Sequence, residues 1–476
     1  MFSEGNTVDP FLLADSERIL RQYSFINDAR IYMLPSLENE NNVEVIVAIQ
    51  DRFPWSVNIG FSSFSKYNFT LSHQNISGSA NELYAGFFKN SNGNPVTGYS
   101  AGYISAPFKR TFTRAELFIE NNYNRKARGI TVDKPFVSPV IEWGGRLGIY
   151  DMSKDVEFVL GDSTYESGYK MDMADIWVAR AWRPFRNDRK SITLGFRGIL
   201  TSFDLRPEVT TDSNTIFLDR STYLVALDYH KSNFVKTSNV QSIGITEDLP
   251  VGYSYGSTIG ANFTEFADEW YLGLRGQWND FRDFGYVSIH SEIGGFRNKS
   301  RWSEGIWDSE VSYMSPLMYL GLNTFRAFVS INYVQSMNLS LPLSIRLADY
   351  IDGLNGYYTR GEEVFVLSIE PVLFSRWYWL GFRFAPYVTL QIGQVRESRI
   401  KPSYNETYPA LGGGFRITNP GLILSSLEIS GKFFTNSPEN GNTFYFDISL
   451  STRLPFRLNR SEVPVVLPYS EYNFFR

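Results

Sequence analysis

Cysteine is absent from this 476-residue chain, which excludes disulfides, cysteine-ligated metals and a thiol nucleophile. Histidine is scarce as well: His73, His230 and His290 are the only three, and they lack the spacing of a metal site such as H-E-x-x-H. A serine hydrolase would need a histidine beside the serine and a third group that orients it. No sequence pattern indicates such a site. The chain is therefore predicted to be non-enzymatic and to need no cofactor.

Long apolar runs are also missing. No stretch approaches 18 consecutive apolar residues and the mean hydropathy is −0.22, which excludes a transmembrane helix. The net charge of −5 and the pI near 5.5 argue against a nucleic-acid partner. The first 25 residues contain neither a basic region nor an apolar core, so they do not read as a signal peptide.

Aromatic residues are abundant: they form 16% of the chain, with 38 Phe, 29 Tyr and 10 Trp. Many aromatics without long apolar runs are typical of a transmembrane β-barrel, in which only every second residue faces lipid. From Trp55 onward, apolar and polar residues alternate in segments of roughly 9–12 residues, the length of a tilted membrane strand. This region therefore predicts membrane-spanning strands.

Two segments illustrate the alternation. In the first, Phe325, Ala327, Val329, Ile331 and Tyr333 alternate with polar residues that include Arg326 and Ser330. In the second, Ile289 and Ile293 flank His290 and Glu292. Charged residues on the inner face suit a polar lumen better than a dry core. A soluble β-sandwich also alternates, and it remains the alternative fold.

The segments number about 16, an even count as in bacterial barrels. Two irregular stretches, Lys154–Met171 and Ser336–Tyr358, are predicted to be extracellular loops. The first 52 residues differ: a helical pattern begins at Pro10, and alternating segments end near Pro35 and Asp51. This order predicts a small unit of helix, strand and strand.

That order resembles the second half of a POTRA domain, with Tyr23–Ile31 and Val43–Asp51 in the places of its two strands. The rest resembles the barrel of the BamA/TamA superfamily (bacterial surface antigen family), chiefly in Asp133–Asp151 and Ile243–Gly256. The resemblance implies an all-β chain: a partial α+β POTRA unit (residues 1–52), then an antiparallel transmembrane β-barrel of about 16 strands (residues 53–476). It also implies that the chain is a fragment whose first POTRA half lies upstream.

In this superfamily a long loop folds into the lumen and carries an Arg-Gly-aromatic tip. Residues 336–362 would be that loop here, and its tip would be Leu354, Asn355, Gly356 and Tyr357. Asn355 stands where the family has arginine, and Gln391 stands where the family's partner carboxylate would be. We therefore expect a neutral amide pair that anchors the loop with about 1 kcal/mol, less than an ion pair would supply.

The resemblance implies a factor that assembles, inserts or translocates polypeptides at the outer membrane of a Gram-negative bacterium, with the N-terminal unit in the periplasm. Its partners would be unfolded outer-membrane clients, accessory subunits and the lipid bilayer, with no nucleic acid. The family mechanism would use a lateral seam between the first and last strands. Five seam residues are predicted from the sequence: Trp55, Phe61, Phe446, Ile448 and Leu450.

Two other functions remain open: a passive outer-membrane pore, which would need a lumen without an inserted loop, and a surface-exposed structural or adhesin barrel. Residues 457–476 follow the last predicted strand, which normally ends such a protein. They are predicted to be a periplasmic tail or part of a further hairpin.

Overall fold

The structure is a computed structural model. It describes residues 5, 7–37, 41–91, 93, 95–108, 111–122, 125–138, 140–160, 163–183, 189–211, 214–298, 301–339, 345–354, 359–398, 401–423, 426–436, 443–449 and 464–467.

The N-terminal residues form one helix and one hairpin. Helix α1 (Pro10–Arg21) begins with proline at its first position, and Asp9 caps it by accepting a hydrogen bond of 2.9 Å from the backbone N–H of Phe11. Strands β1 (Ile26–Pro35) and β2 (Val43–Asp51) pair in an antiparallel hairpin. The predicted order of helix, strand and strand is therefore found. A helix and a lone hairpin do not by themselves define a POTRA domain, so that assignment stays a prediction.

The rest of the described chain forms a closed antiparallel barrel. Its 22 strand segments amount to 20 strands, because Met318–Leu320 and Tyr378–Trp379 continue the strands before them. The strands are β3 (Trp55–Ser63), β4 (Lys66–His73), β5 (Glu82–Asn90), β6 (Thr97–Ile104), β7 (Arg114–Asn121), β8 (Arg125–Lys134), β9 (Trp143–Leu160), β10 (Ser163–Trp182), β11 (Lys190–Leu205), β12 (Arg220–Ser238), β13 (Thr246–Thr264), β14 (Asp268–Arg282), β15 (Gly285–Asn298), β16 (Arg301–Met314), β17 (Asn323–Met337), β18 (Glu363–Phe374), β19 (Phe382–Ser398), β20 (Lys401–Thr418), β21 (Leu427–Phe434) and β22 (Phe444–Ser449).

The prediction of an all-β antiparallel barrel is confirmed, whereas the predicted count of 16 strands is wrong. Several strands are joined by two residues with little turn signal, such as Phe64 and Ser65 between β3 and β4. The stretch Lys154–Met171, predicted to be a loop, instead forms the ends of two paired strands that are 18 and 20 residues long. Short turns make two strands look like one in the sequence, and the ends of long strands look like loops. Both effects lower the predicted number of strands.

The predicted alternation of faces is found in the strands. Ile289 and Ile293 are more than 40% exposed on the outside of the barrel, whereas His290 and Glu292 are less than 10% exposed inside it. On β17, Arg326 is buried while Ile331 is exposed. Charged side chains therefore line the lumen as predicted.

Two ends of the barrel are distinguished by the connections they carry. The chain enters β3 at the entry end, which also carries the connections 135–142, 183–189 and 239–245. The opposite, loop end carries the long connection 338–362 between β17 and β18. In an antiparallel barrel, every connection at one end follows a strand that runs toward that end. The order and pairing of the strands therefore determine at which end each connection lies.

Candidate functional site in the lumen and at the seam

Residues 345–354 of the connection 338–362 lie inside the lumen. Three of its apolar side chains, those of Leu347, Ile351 and Leu354, are fully buried in a cluster with inward residues of the wall. Gly393 on β19 makes room for them: a Cβ there would lie 2.8 Å from methyl carbons of Leu347 and Ile351. Real Cβ atoms essentially never come so close to another heavy atom. The loop can therefore pack at this position because residue 393 is glycine.

The same loop reaches the last two strands. The Asp352 carboxylate lies 3.5 Å from the Lys432 ammonium on β21. Gly353 has a φ of +92°, and a Cβ there would meet Tyr445 on β22 at 2.6 Å. Only glycine adopts this conformation readily. The loop therefore contacts the inner face of the strands beside the barrel closure.

Of the predicted tip, Leu354 is buried as described above, whereas Asn355, Gly356 and Tyr357 lie outside the described residues. Gln391 lies on β19, two residues before Gly393 and on the same face of the strand. Its Nε2 donates to Ser368 Oγ over 3.1 Å, and its buried Oε1 has no hydrogen-bond partner among the described residues. An acceptor therefore remains available on the wall that carries the loop.

Where the described strands close the barrel, β22 pairs with β3, and Ile448 lies opposite Phe61. Trp55 and Phe446 are 44% and 49% exposed on the outside. Leu450 lies outside the described residues.

Helix α1 rests on the entry end through charged contacts. Arg21 forms a bidentate ion pair of 2.7–2.9 Å with Asp248 of β13, and Asp15 lies 3.3 Å from Arg189. Glu17 binds both Arg21 and Lys236 of β12. Burial alone raises the pKa of Glu17, but these two cations outweigh it and leave that pKa below its ordinary value. The helix thus ties the N-terminal unit to the wall around β11–β13.

Inward charges of the wall are paired across strands. Arg197 binds Asp175 at 2.8 and 3.0 Å, and Arg416 lies 2.6 Å from Glu370. Pairing compensates for the removal of these charges from bulk water. The lumen wall is therefore polar and internally satisfied at these places.

A serine–histidine pair that the sequence did not indicate lies on the wall: Ser191 Oγ is 2.5 Å from His230 Nε2. The two residues are 39 positions apart, so only the register of β11 with β12 brings them together. Ser191 is 1% exposed, so its hydroxyl is buried in the wall. No group of His, Asp or Glu in the described parts of the chain could hold a metal ion.

The outer surface carries the apolar band of a membrane barrel. Side chains such as Leu83, Phe87, Ile176, Leu227 and Ile259 point outward and are more than 40% exposed. A closed barrel satisfies its backbone within lipid, which open sheets cannot do. The end of the strand that continues β18 adds Trp377, Tyr378 and Trp379, each more than 60% exposed, as in the aromatic girdles of such barrels. The protein is an outer-membrane barrel of the Gram-negative type.

Within the described residues, no helix is long and apolar enough to cross a membrane. No protein-family model matches the sequence. No curated protein matches it either.

Among solved structures, the chain is similar to BamA from Haemophilus ducreyi lacking POTRA domains 1–3, with 12% identity and a TM-score of 0.44 over 94% of this chain and 79% of that one. It is also similar to CdiB from Escherichia coli (13% identity, TM-score 0.49, 92% and 69% of the chains) and CdiB from Acinetobacter baumannii (11%, 0.41, 90% and 66%). Because all three TM-scores are below 0.5, these likenesses assign no function to the chain.

Replacing Gly393 by valine is expected to push the loop off β19. The new methyl groups would overlap Leu347 and Ile351, and overpacking of this kind costs about 1–3 kcal/mol. Trypsin should then cleave faster after Arg346 and Arg360, which flank the buried loop residues. Gly276→Val is the matched control, because the nearest atom to its Cβ lies at 3.7 Å. Equal cleavage rates in the two variants would contradict the close fit.

Proposed function

We propose that this protein inserts or translocates polypeptides at the outer membrane, acting through the seam between β22 and β3. The observation that carries the proposal is the loop inside the lumen, whose residues Asp352 and Gly353 touch the last two strands. Through these contacts the loop would sense or control the strands that must part. The entry end would face the periplasm, where unfolded clients and accessory subunits would meet it.

A barrel strand that opens toward lipid must offer its backbone groups to another strand, since lipid cannot hydrogen-bond to them. To open the seam, β22 would have to part from β3, with which it pairs where Ile448 lies opposite Phe61. A client strand would pair with the exposed edge and leave sideways into the bilayer.

The alternatives are less well supported by the described residues. A passive pore needs an open lumen, yet Leu347, Ile351 and Leu354 fill part of it. An adhesin needs large surface loops, yet several loop-end connections, such as 64–65 and 299–300, consist of two residues. In the longest connection, 338–362, the described residues 345–354 lie inside the lumen.

The amide contact between Asn355 and Gln391 remains a prediction within this proposal. Leu354, the chain neighbour of Asn355, is buried in the lumen, and Gln391 Oε1 is available as an acceptor. The Asn355 amide could donate to that oxygen and anchor the loop tip. A measured separation of more than about 8 Å, too far for one bridging water, would contradict the contact.

Depletion of the protein tests the function. If it assembles or translocates polypeptides, the amounts of some folded outer-membrane or surface proteins should fall before growth changes, because their last step requires this barrel. Quantitative mass spectrometry of isolated outer membranes would measure the loss, with lipid-anchored proteins as the internal control. Unchanged levels of all outer-membrane and surface proteins would overturn the proposal.

A further inference from the structure

A short segment near the end of the chain lies inside the barrel. The segment Pro464–Leu467 follows the last strand, and Val466 and Leu467 are 6% and 4% exposed. The sequence predicted a periplasmic tail or a hairpin there, and for these four residues that prediction is wrong. An apolar run between two prolines is too short to span a membrane. It is buried instead against the lumen wall.

Main-chain hydrogen bonds to the wall hold the described residues of the segment. The Arg197 guanidinium on β11 donates to the carbonyl of Pro464 at 2.9 Å, and the backbone N–H of Leu467 donates to the Tyr271 hydroxyl on β14 at 3.0 Å. Val466 packs with Leu224 and Tyr271 in one apolar cluster. These strands lie across the barrel from the seam, near the middle of the 20-strand order.

Two glycines of the lumen wall lie directly beneath the two ends of the segment. A Cβ at Gly195 would lie 3.2 Å from the Pro464 ring, and a Cβ at Gly294 would lie 3.4 Å from Leu467 Cβ. The absence of side chains at Gly195 and Gly294 leaves a shallow groove between β11 and β15. Because the hydrogen bonds from Arg197 and Tyr271 go to the main chain of the segment, the groove selects apolar side chains rather than one sequence.

The groove is complete without its occupant. Arg197 keeps two hydrogen bonds to Asp175 when the segment leaves. The departure of the segment therefore leaves no buried charge unpaired. The Tyr271 ring stays packed on Phe296 with centroids 5.3 Å apart. The segment itself is uncharged, so release into water exposes apolar side chains and breaks no ion pair of the segment.

We propose that the lumen wall carries a binding groove for a short, uncharged apolar peptide, and that the chain's own residues 464–467 fill it as an exchangeable plug. This assignment goes beyond insertion or translocation, because it holds whatever the barrel transports. Opening the lumen along this wall would require the plug to leave.

An engineered disulfide tests where the segment lies. The variant Gly294→Cys/Leu467→Cys places two Cβ atoms about 3.4 Å apart, close to disulfide geometry, in a chain without other cysteines. Tyr271→Phe is added because its hydroxyl would lie 2.3 Å from the new Cβ. This change also removes the hydrogen bond from the Leu467 N–H, so the Arg197 contact and the packing of Val466 must hold the segment until the cross-link forms. The bond should form during oxidative folding and show as faster migration on a non-reducing gel, unlike the single Gly294→Cys control. No cross-link in the folded barrel would overturn the assignment.

A synthetic peptide of the chain's residues 461–470 tests exchange. Added in excess to the reduced triple variant before an oxidant, it should lower the cross-link yield in a dose-dependent way, whereas a version with aspartate at the two positions of Val466 and Leu467 should not. With the variant Val466→Asp/Leu467→Asp in detergent, the labelled peptide should bind at least about tenfold more tightly than to the natural barrel, whose tethered segment competes at high effective concentration. Cross-linking that no peptide lowers, or equal binding to both barrels, would overturn an exchangeable plug.

Discussion

A disulfide across the seam, made by Phe61→Cys and Ile448→Cys, is expected to abolish client assembly until a reductant is added. These two residues form a registered pair between β3 and β22, and directly opposed residues of antiparallel strands lie within the range that a disulfide can bridge. A covalent bond there would prevent the strands from parting. The measurement is the amount of newly folded outer-membrane barrels in cells that depend on the variant, before and after mild reduction.

The matched control places the same bond in the closed wall. Val225 on β12 and Ile259 on β13 are opposed in register, and both face outward. The variant Val225→Cys/Ile259→Cys should assemble clients normally under oxidising conditions, because no strand parts there. Full activity of the oxidised seam variant, with its disulfide verified, would contradict a lateral seam.

Replacing Arg416 by methionine is expected to give the largest loss of stability among single substitutions of the lumen wall. Arg416 lies between Glu370 at 2.6 Å and Glu428 at 3.5 Å, and its side chain is only 5% exposed. Its removal leaves two carboxylates facing each other with no cation between them. Breaking a buried ion pair from one side costs about 3–5 kcal/mol. Thermal unfolding, followed by the heat-dependent gel mobility of the barrel, would measure the loss.

Two further variants make the interpretation specific. Arg346→Met removes an exposed ion pair with Asp349 and should cost at most about 1 kcal/mol. Adding Glu370→Gln and Glu428→Gln to Arg416→Met should restore much of the stability, because the unpaired charges disappear. Equal destabilisation by Arg416→Met and Arg346→Met would show that the buried network contributes little.

The sequence predicted which side of a strand faces lipid, because the bilayer forces alternation on every spanning residue. The pairs Ile289 with His290 and Arg326 with Ile331 follow this rule. Beyond the bilayer both faces can meet water, so alternation weakens. That is why Lys154–Met171 resembled a loop although it continues β9 and β10.

The contents of the lumen were harder to predict than its wall. The contacts of Asp352 with Lys432 and of Arg21 with Asp248 join residues 80 or more positions apart, and their presence depends on how the barrel closes. Gly393 was visible in the sequence, but its role as the floor beneath Leu347 depends on the folded loop. The segment Pro464–Leu467 carried one local signal, an apolar run bounded by prolines.

The strands of this barrel differ widely in length. The wall next to β3 contains strands of eight residues, such as Lys66–His73 and Thr97–Ile104, whereas β10 and β12 contain 20 and 19. Eight tilted residues cover roughly 20 Å along the membrane normal, less than the roughly 25 Å apolar band of typical barrels. Hydrophobic mismatch of this kind is met by local thinning of the bilayer. A strand that leaves the seam would therefore enter the thinnest part of the surrounding hydrocarbon.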